Sequence, residues 1–333
     1  MTTLLNSKRQ VLAKNIVLID GFSSSGKSLI GPILGYLKRC EQWQLNNWFD
    51  YISTLHYLKK ISQSSVTAFT KIRADELIYN LFLGRNVNFR TTDHSSPYFD
   101  GLQKKYLKRL KEKEGKYAIN KIIRSEPILP LAVHYLYGNS KILLKAFENR
   151  LKLYIVCLRD PFVLIQKWHD GNWPKKIEKE PRFFEFCLNY KDTIIPWYAK
   201  KYAVKYRKAN GIEKSILTVF HLYKGVFSMY EKKSDKEKKK LLIIFFEDFI
   251  QFPNLYIDKI CKTLKTEREK NFKKIMKKNF LPRKIISQPI TTIKDFENKY
   301  SKNFSPVYNK MIIELNELYL EFYSLHKISK NKN

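Results

Sequence analysis

No run of about 18 apolar residues occurs in the chain, and its first residues, MTTLLNSKRQVLAKN, hold no apolar stretch of signal-peptide type. A membrane-spanning helix and a cleaved leader are therefore not expected, and a cytoplasmic protein is. Cysteine is sparse and scattered. Cys40, Cys157, Cys187 and Cys261 form no CxxC pair, which argues against zinc or a disulfide framework and for reduced core thiols, so no metal site is expected. Acidic residues are outnumbered, 31 Asp and Glu against 63 Lys and Arg, for a net charge of +32. A surface this basic concentrates anions. The lysines are nevertheless spread over the chain instead of lying on one stripe, and the aromatics fall at core-like spacing, so there is no clear nucleic-acid site. Internal repeats and Gly/Ser/Pro-rich linkers are absent too. With 44% hydrophobic residues over 333 positions, residues 1–333 read as a single domain with a sizeable core.

What is present starts with GFSSSGKS at residues 21–28, which fits the phosphate-loop pattern GxxxxGK[ST] at Gly21, Gly26, Lys27 and Ser28. Its flanks are the required ones. NIVLID (Asn15 to Asp20) is a β-branched apolar run that predicts a buried strand, and KSLIGPILGYLKRC (Lys27 to Cys40) has helical spacing, with Pro32 as a bend. In that order the N–H groups of Ser23, Ser24, Ser25, Gly26, Lys27 and Ser28 face one concavity at a helix N-terminus, and Lys27 adds a full charge. A serine-rich turn is the plainer alternative, but strand and helix flanks favour the loop.

KLYIVCL (Lys152 to Leu158) and LLIIFF (Leu241 to Phe246) predict two further buried strands. Residues 42–84 read as helices, and 101–124 as one basic amphipathic helix. A mostly helical insert spans about 168–240, ending in the charge run EKKSDKEKKK, which reads as a solvated loop. A helical C-terminal region runs over about 254–333. Strands separated by long helical stretches need crossovers, so the expected fold is an α/β three-layer α/β/α sandwich with a central parallel sheet and a P-loop. Ligands in such a sheet lie at the carboxyl ends of the strands. After the second predicted strand comes RDPFVLIQKW, with Arg159 at the strand end, Asp160 as helix N-cap and Pro161 at the first helical position. After the third comes EDFIQFPNLYIDKICKTL, with Glu247 and Asp248 at the strand end and Pro253 opening a helix.

The set of the glycine loop, CLRDP and FFEDFIQFP…IDKICKTL, spaced roughly 100 residues apart, resembles the sulfotransferases that use 3′-phosphoadenosine 5′-phosphosulfate. That resemblance implies Arg159 at the 3′-phosphate of the nucleotide. It departs at two places. Ser24 stands where the bacterial members have a basic residue and Lys27 where they have threonine; and Lys167 stands where the family has a serine eight residues after the arginine, a point charge in place of a hydroxyl donor. The competing reading is an ATP-dependent P-loop kinase, with Ser28 on magnesium and Lys27 on the β and γ phosphates. A non-catalytic nucleotide-binding protein is the third.

Sulfuryl transfer to a hydroxyl or amine needs a base for the acceptor's proton and a cation for the departing phosphate. Lys27 fits the second role. For the base, Glu41 is one candidate, since some carbohydrate sulfotransferases carry a glutamate in a comparable region, and Asp93 and His94 in FRTTDHSSPY are others. His134, His169 and His221 rank below them. The acceptor is not readable, although Arg85 and Arg90 would suit an acidic one, and the insert and residues 85–100 are the segments expected to select it.

Overall fold

The computed structural model describes residues 9–285 and 292–326. Its strands are β1 (Asn15–Gly21), β2 (Gln44–Leu45), β3 (Ile128–Ala132), β4 (Leu151–Leu158), β5 (Cys187–Tyr190), β6 (Thr193–Pro196) and β7 (Leu241–Phe245). Five of them form one parallel sheet in the order β2-β3-β1-β4-β7, and β5 pairs with β6 in a separate antiparallel hairpin.

The apolar runs of β1 and β4 are continuous because both faces of the sheet are covered. Successive side chains enter opposite cores. Ile16, Leu18, Tyr154 and Val156 join one cluster with helix α3 (Gln63–Phe82) and the helices Gly211–Glu231 and Val307–His326. Val17, Ile19, Leu153 and Ile155 join the other, with α1 (Lys27–Leu34) and the helix Pro253–Leu264. The architecture is the expected three-layer α/β/α sandwich. All four cysteines are free, and Cys40 and Cys157 are buried in the core. No described helix is long and apolar enough to cross a membrane.

Several elements differ from the sequence expectation. The helix after the loop stops at Leu34, two residues beyond Pro32, instead of reaching Cys40. The chain then turns back and runs beside β3, with Cys40 bridged to Ile128 and β2 paired to Leu131 and Ala132. Neither β2 nor β3 was expected. β2 has two residues, and β3 (ILPLA) carries Pro130, which argues against a strand; it is tolerated because β2 pairs only with Leu131 and Ala132, leaving Pro130 outside that short pairing. The basic stretch 101–124 is two helices, Gln103–Arg109 and Lys116–Ser125, separated at Gly115. The insert contains the β5–β6 hairpin as well as helices, and the charge run holds a short helix, Asp235–Lys238, closed by a Ser234–Glu237 capping box.

Candidate functional site

The register places the strand ends in one row. Gly21 pairs with Cys157 and Leu158 with Phe245; Ala132 pairs with Ile19 and Leu45. Each strand therefore delivers its next residues to the same edge of the sheet.

At the centre, β1 feeds the glycine loop. Two glycines are required there. Gly21 has φ +153°, and a Cβ on it would stand 2.6 Å from the Cys157 carbonyl; Gly26 has φ +104°, and a Cβ would stand 2.5 Å from the Phe246 ring. Among the described residues the N–H groups of Gly26, Lys27 and Ser28 donate to no protein acceptor, whereas Ser25 N–H donates to Phe22 O. The Ser25 hydroxyl is buried without a partner. Free donors at a helix start suit an anion. Lys27 is turned inward, Nζ donating to Gly21 O at 2.7 Å and Phe22 O at 3.0 Å. Burial lowers its pKa, against the charge of Asp20. Ser24 (φ +68°) and Ser28 are exposed.

Asp20 went unremarked in the sequence, yet it organises the edge. Fully buried, it accepts the N–H of Gly21 at 2.6 Å, of Tyr137 at 2.6 Å and of Leu136 at 3.4 Å, and the Tyr154 O–H at 2.8 Å. Burial raises its pKa in spite of these donors and of Lys27. One carboxyl thus fixes the chain leaving β3 against the loop leaving β1.

On the β4 and β7 side, Asp160 caps the helix Pro161–Asp170 by accepting from Phe162 and Val163 N–H, and Pro161 opens it. Arg159 Nη1 donates to Ser24 O at 3.0 Å, and its guanidinium lies 4.3 Å over the Phe246 ring that covers Gly26. Glu247 stands by Arg159 Nε at 3.8 Å and accepts the Asp160 N–H at 3.2 Å. Burial pushes Glu247 up to about 7, with Asp160 adding to it. Burial also lowers the pKa of Arg159; Glu247 opposes this and Arg283 reinforces it. Arg283, from the C-terminal third, is a cation the sequence reading did not single out. A cation beside a second cation, with a carboxylate half protonated near pH 7, is incompletely compensated and favours an anion. Asp248 points elsewhere, accepting from Tyr323 O–H at 2.6 Å and Tyr256 O–H at 3.4 Å. Lys167 is exposed, one position before Trp168, whose indole N–H donates to Ser23 O at 3.0 Å.

On the β2 and β3 side lies a cavity of about 190 Å³. Ser23 of the loop lines it and is hydrogen-bonded through its hydroxyl to Tyr135. Asp50, in the first turn of α2 (Trp48–Tyr57) after β2, meets His134 just after β3: Oδ1 accepts the His134 backbone N–H at 2.8 Å and Oδ2 lies 3.0 Å from Nδ1. An ionised carboxylate only accepts, so in the neutral imidazole this contact selects the tautomer with the hydrogen on Nδ1 and the lone pair on Nε2. The insert closes the cavity with residues 182–186, Trp173 and Trp197.

The base candidates read from the sequence lie elsewhere. Glu41 N–H donates to Ile128 O, and Ile128 pairs with Asn15 at the start of β1; six residues of strand separate that level from Gly21, roughly 20 Å. Its carboxylate is held by Arg109 at 2.7 and 2.9 Å, Tyr106 O–H at 2.8 Å and Lys105 at 3.2 Å. Glu41 is a structural ion pair at the opposite end of the sheet. Asp93 is bound by Asn88 and Arg90, and exposed His94 packs on Phe99 while its carbonyl accepts from Trp43; none of these partners belongs to the loop. His169 meets Tyr300 and His221 stacks on Tyr202. Arg85 pairs with Glu114 and Arg90 with Asp93. Among the described residues no group of three His, Cys, Asp or Glu is placed to hold a metal ion.

No protein-family model and no curated protein matches the chain. Among the solved structures it is similar to are three sulfotransferases. The sulfotransferase domain from the curacin biosynthetic pathway shares 10% identity over 86% of this chain and 96% of that one, with a TM-score of 0.42. The sulfotransferase domain from the Synechococcus PCC 7002 olefin synthase shares 13% over 88% and 97%, with a TM-score of 0.38. A sulfotransferase from Mycobacterium avium shares 10% over 98% and 79%, with a TM-score of 0.45.

Proposed function

We propose that the protein moves a sulfuryl group from 3′-phosphoadenosine 5′-phosphosulfate to a hydroxyl of a small acceptor held in the cavity beside the loop. The observation that carries this reading is the arrangement of one sheet edge: an anion cradle in the middle, the Arg159 cation against its Ser24 carbonyl on one side, and the His134–Asp50 pair on the other. The loop's free N–H groups would hold the phosphate that bears the sulfuryl group. Arg159 and Arg283, with Lys167 on the neighbouring helix, would meet the 3′-phosphate. Nε2 of His134 takes the acceptor's proton as the acceptor oxygen bonds sulfur; the bond from sulfur to the phosphate oxygen breaks, and its electron pair stays on the phosphate, facing the loop N–H groups and Lys27. Lys27 would exchange its two carbonyl contacts for that oxygen. The kinase reading asks for carboxylates free to hold magnesium, but Glu247 is engaged with Arg159 and Asp160, and Asp248 with two tyrosines.

Calorimetry decides between them. Adenosine 3′,5′-bisphosphate should bind more tightly than ADP with magnesium, and a clear preference for the latter replaces this reading with the kinase. In the Arg159→Ala variant the 3′-phosphorylated nucleotide should lose about 1.5–3 kcal/mol, one charge-assisted contact, while ADP is unchanged. Equal losses for the two would remove Arg159 from the 3′-phosphate.

A further inference from the structure

We propose that the acceptor is a small hydroxyl compound carrying an ammonium group, and that Glu185 is the residue that selects the positive charge. The fate of the hydroxyl rests on the sulfuryl-transfer reading; the preference for a cation rests on the cavity itself.

In a chain of net charge +32, the cavity is lined by two acids, Asp50 and Glu185, and by a single basic side chain besides His134, that of Arg182. Arg182 is turned out: its side chain is 84% exposed and paired with Glu180 at 2.8 Å. Asp50 is occupied by His134. Glu185, in contrast, has no basic side chain within salt-bridge distance among the described residues. The rest of the lining is largely aromatic. Tyr51 and Phe186 meet edge to face with centroids 5.2 Å apart, and Trp173 and Phe183 do so at 5.1 Å, with Trp197 on the same wall. An aromatic lining with one carboxyl that has no ion-pair partner is the chemistry that holds an ammonium group, through the ring quadrupoles and one ion pair. The volume, about 190 Å³, is below the roughly 300–1,000 Å³ of pockets for drug-sized ligands, so the occupant is small.

Protonation gives a second signature. Burial, helped by the charge of Asp50, pushes the Glu185 carboxyl up to about 8, against Trp197 and Lys27. The titratable and charged groups around it are Asp50 from α2, Lys27 from α1, His134 and Tyr135 after β3, Cys187 in β5, Tyr198, Tyr202 and Tyr206 after β6, and Arg182 in its own segment, with the Trp197 indole beside them. At pH 7 the free carboxyl is mostly protonated. An ammonium beside it favours the ionised form, so a cationic ligand expels a proton and binds more tightly as pH rises from 6 to 8.

The test is calorimetric binding of tyramine, p-cresol and 4-hydroxyphenylacetate, three phenols of charge +1, 0 and −1. Tyramine is expected to bind about tenfold or more tightly than p-cresol, an increment of one modest ion pair, with 4-hydroxyphenylacetate weakest. Proton release should accompany tyramine alone, read from buffers of different ionisation enthalpy. Glu185→Gln should abolish both the preference and the release while adenosine 3′,5′-bisphosphate still binds. Phe184→Ala, at an exposed rim position, should weaken tyramine without removing the charge preference. Equal affinities, tightest binding of the anion, or an unchanged preference in Glu185→Gln each overturn the proposal. Should Glu185→Gln not fold, the charge series and proton release on the unaltered protein decide. If the charge preference holds but the bisphosphate does not bind, the transfer reading falls and the cation site stands; the reverse pattern sinks the cation site alone.

Discussion

Replacing His134 by alanine is expected to lower turnover by about 10²- to 10⁴-fold, the usual worth of a positioned general base, and to leave the affinity for adenosine 3′,5′-bisphosphate unchanged. The separation follows from the layout of the edge. His134 follows β3 and lines the cavity, whereas the residues proposed to meet the nucleotide follow β1, β4 and β7. Asp50→Asn should also cost turnover, because an amide can donate to Nδ1 and so favour the tautomer that places the hydrogen on Nε2, the wrong form for a base. The measurement is transfer from 3′-phosphoadenosine 5′-phosphosulfate to tyramine by the purified variants, with bisphosphate affinity as the control for folding. Near wild-type kcat in His134→Ala would remove it as the base.

The second large effect lies far from this chemistry. Arg109→Ala should destabilise the protein by about 3–5 kcal/mol, because it leaves a buried carboxylate without its bidentate partner. Glu41 is 2% exposed, and Arg109 spans both its oxygens while packing over the Phe82 ring at 4.2 Å. Burial alone would raise the Glu41 pKa, but Lys105 and Arg109 together hold it below its ordinary value. The sign follows: a depressed folded pKa contributes stability above the unfolded carboxylate value of about 4.3, and that contribution is lost as pH falls through the folded value. Urea midpoints at pH 7 and pH 3 should therefore converge for Arg109→Ala and wild type at the acid end. Replacing the pair together, as Glu41→Leu with Arg109→Met, should recover much of the loss, since an apolar substitute needs no desolvation. Folded Glu41→Gln with unaltered kcat would agree with a structural role; a selective fall in kcat at intact stability would return Glu41 to the site.

The strand-end motifs and Glu41 show where sequence reasoning succeeds and fails. GFSSSGKS, CLRDP and FFEDFIQFP are contiguous, and each combines a strand end, a turn and a helix start whose requirements are local: glycines where φ is positive or a ring approaches, an N-cap aspartate, a proline at the first helical position. Such signals survive in one sequence. Glu41 was a candidate through the resemblance to carbohydrate sulfotransferases, just past a helix expected to run from the loop to Cys40. In the fold, the chain leaves that helix at Leu34 and runs back to the start of β3. The segment that carries Asp93 and His94 is anchored to Trp43 and Gln42 and not to the loop.

Asp50 was missed, and His134 ranked low, for the opposite reason. They are 84 residues apart, and the strands that present them are a two-residue edge and a run broken by Pro130, neither of which advertises itself in hydrophobic pattern. Asp20 and Glu185 look ordinary in sequence because their significance is burial, which depends on what covers them.

By itself, then, the sequence determined the three-layer architecture, the glycine loop with its strand and helix, and the placement of Arg159 and Glu247 at strand ends, all properties of short segments acting through backbone geometry. Only the tertiary structure decided which carboxylate and histidine share the cavity. Lateral strand order and parallel register bring the ends of β2 and β3 together with the loop, and they place Glu41 a strand's length away. Those pairings are chosen by the collective burial of two sheet faces, a property of the whole core that no local stretch encodes.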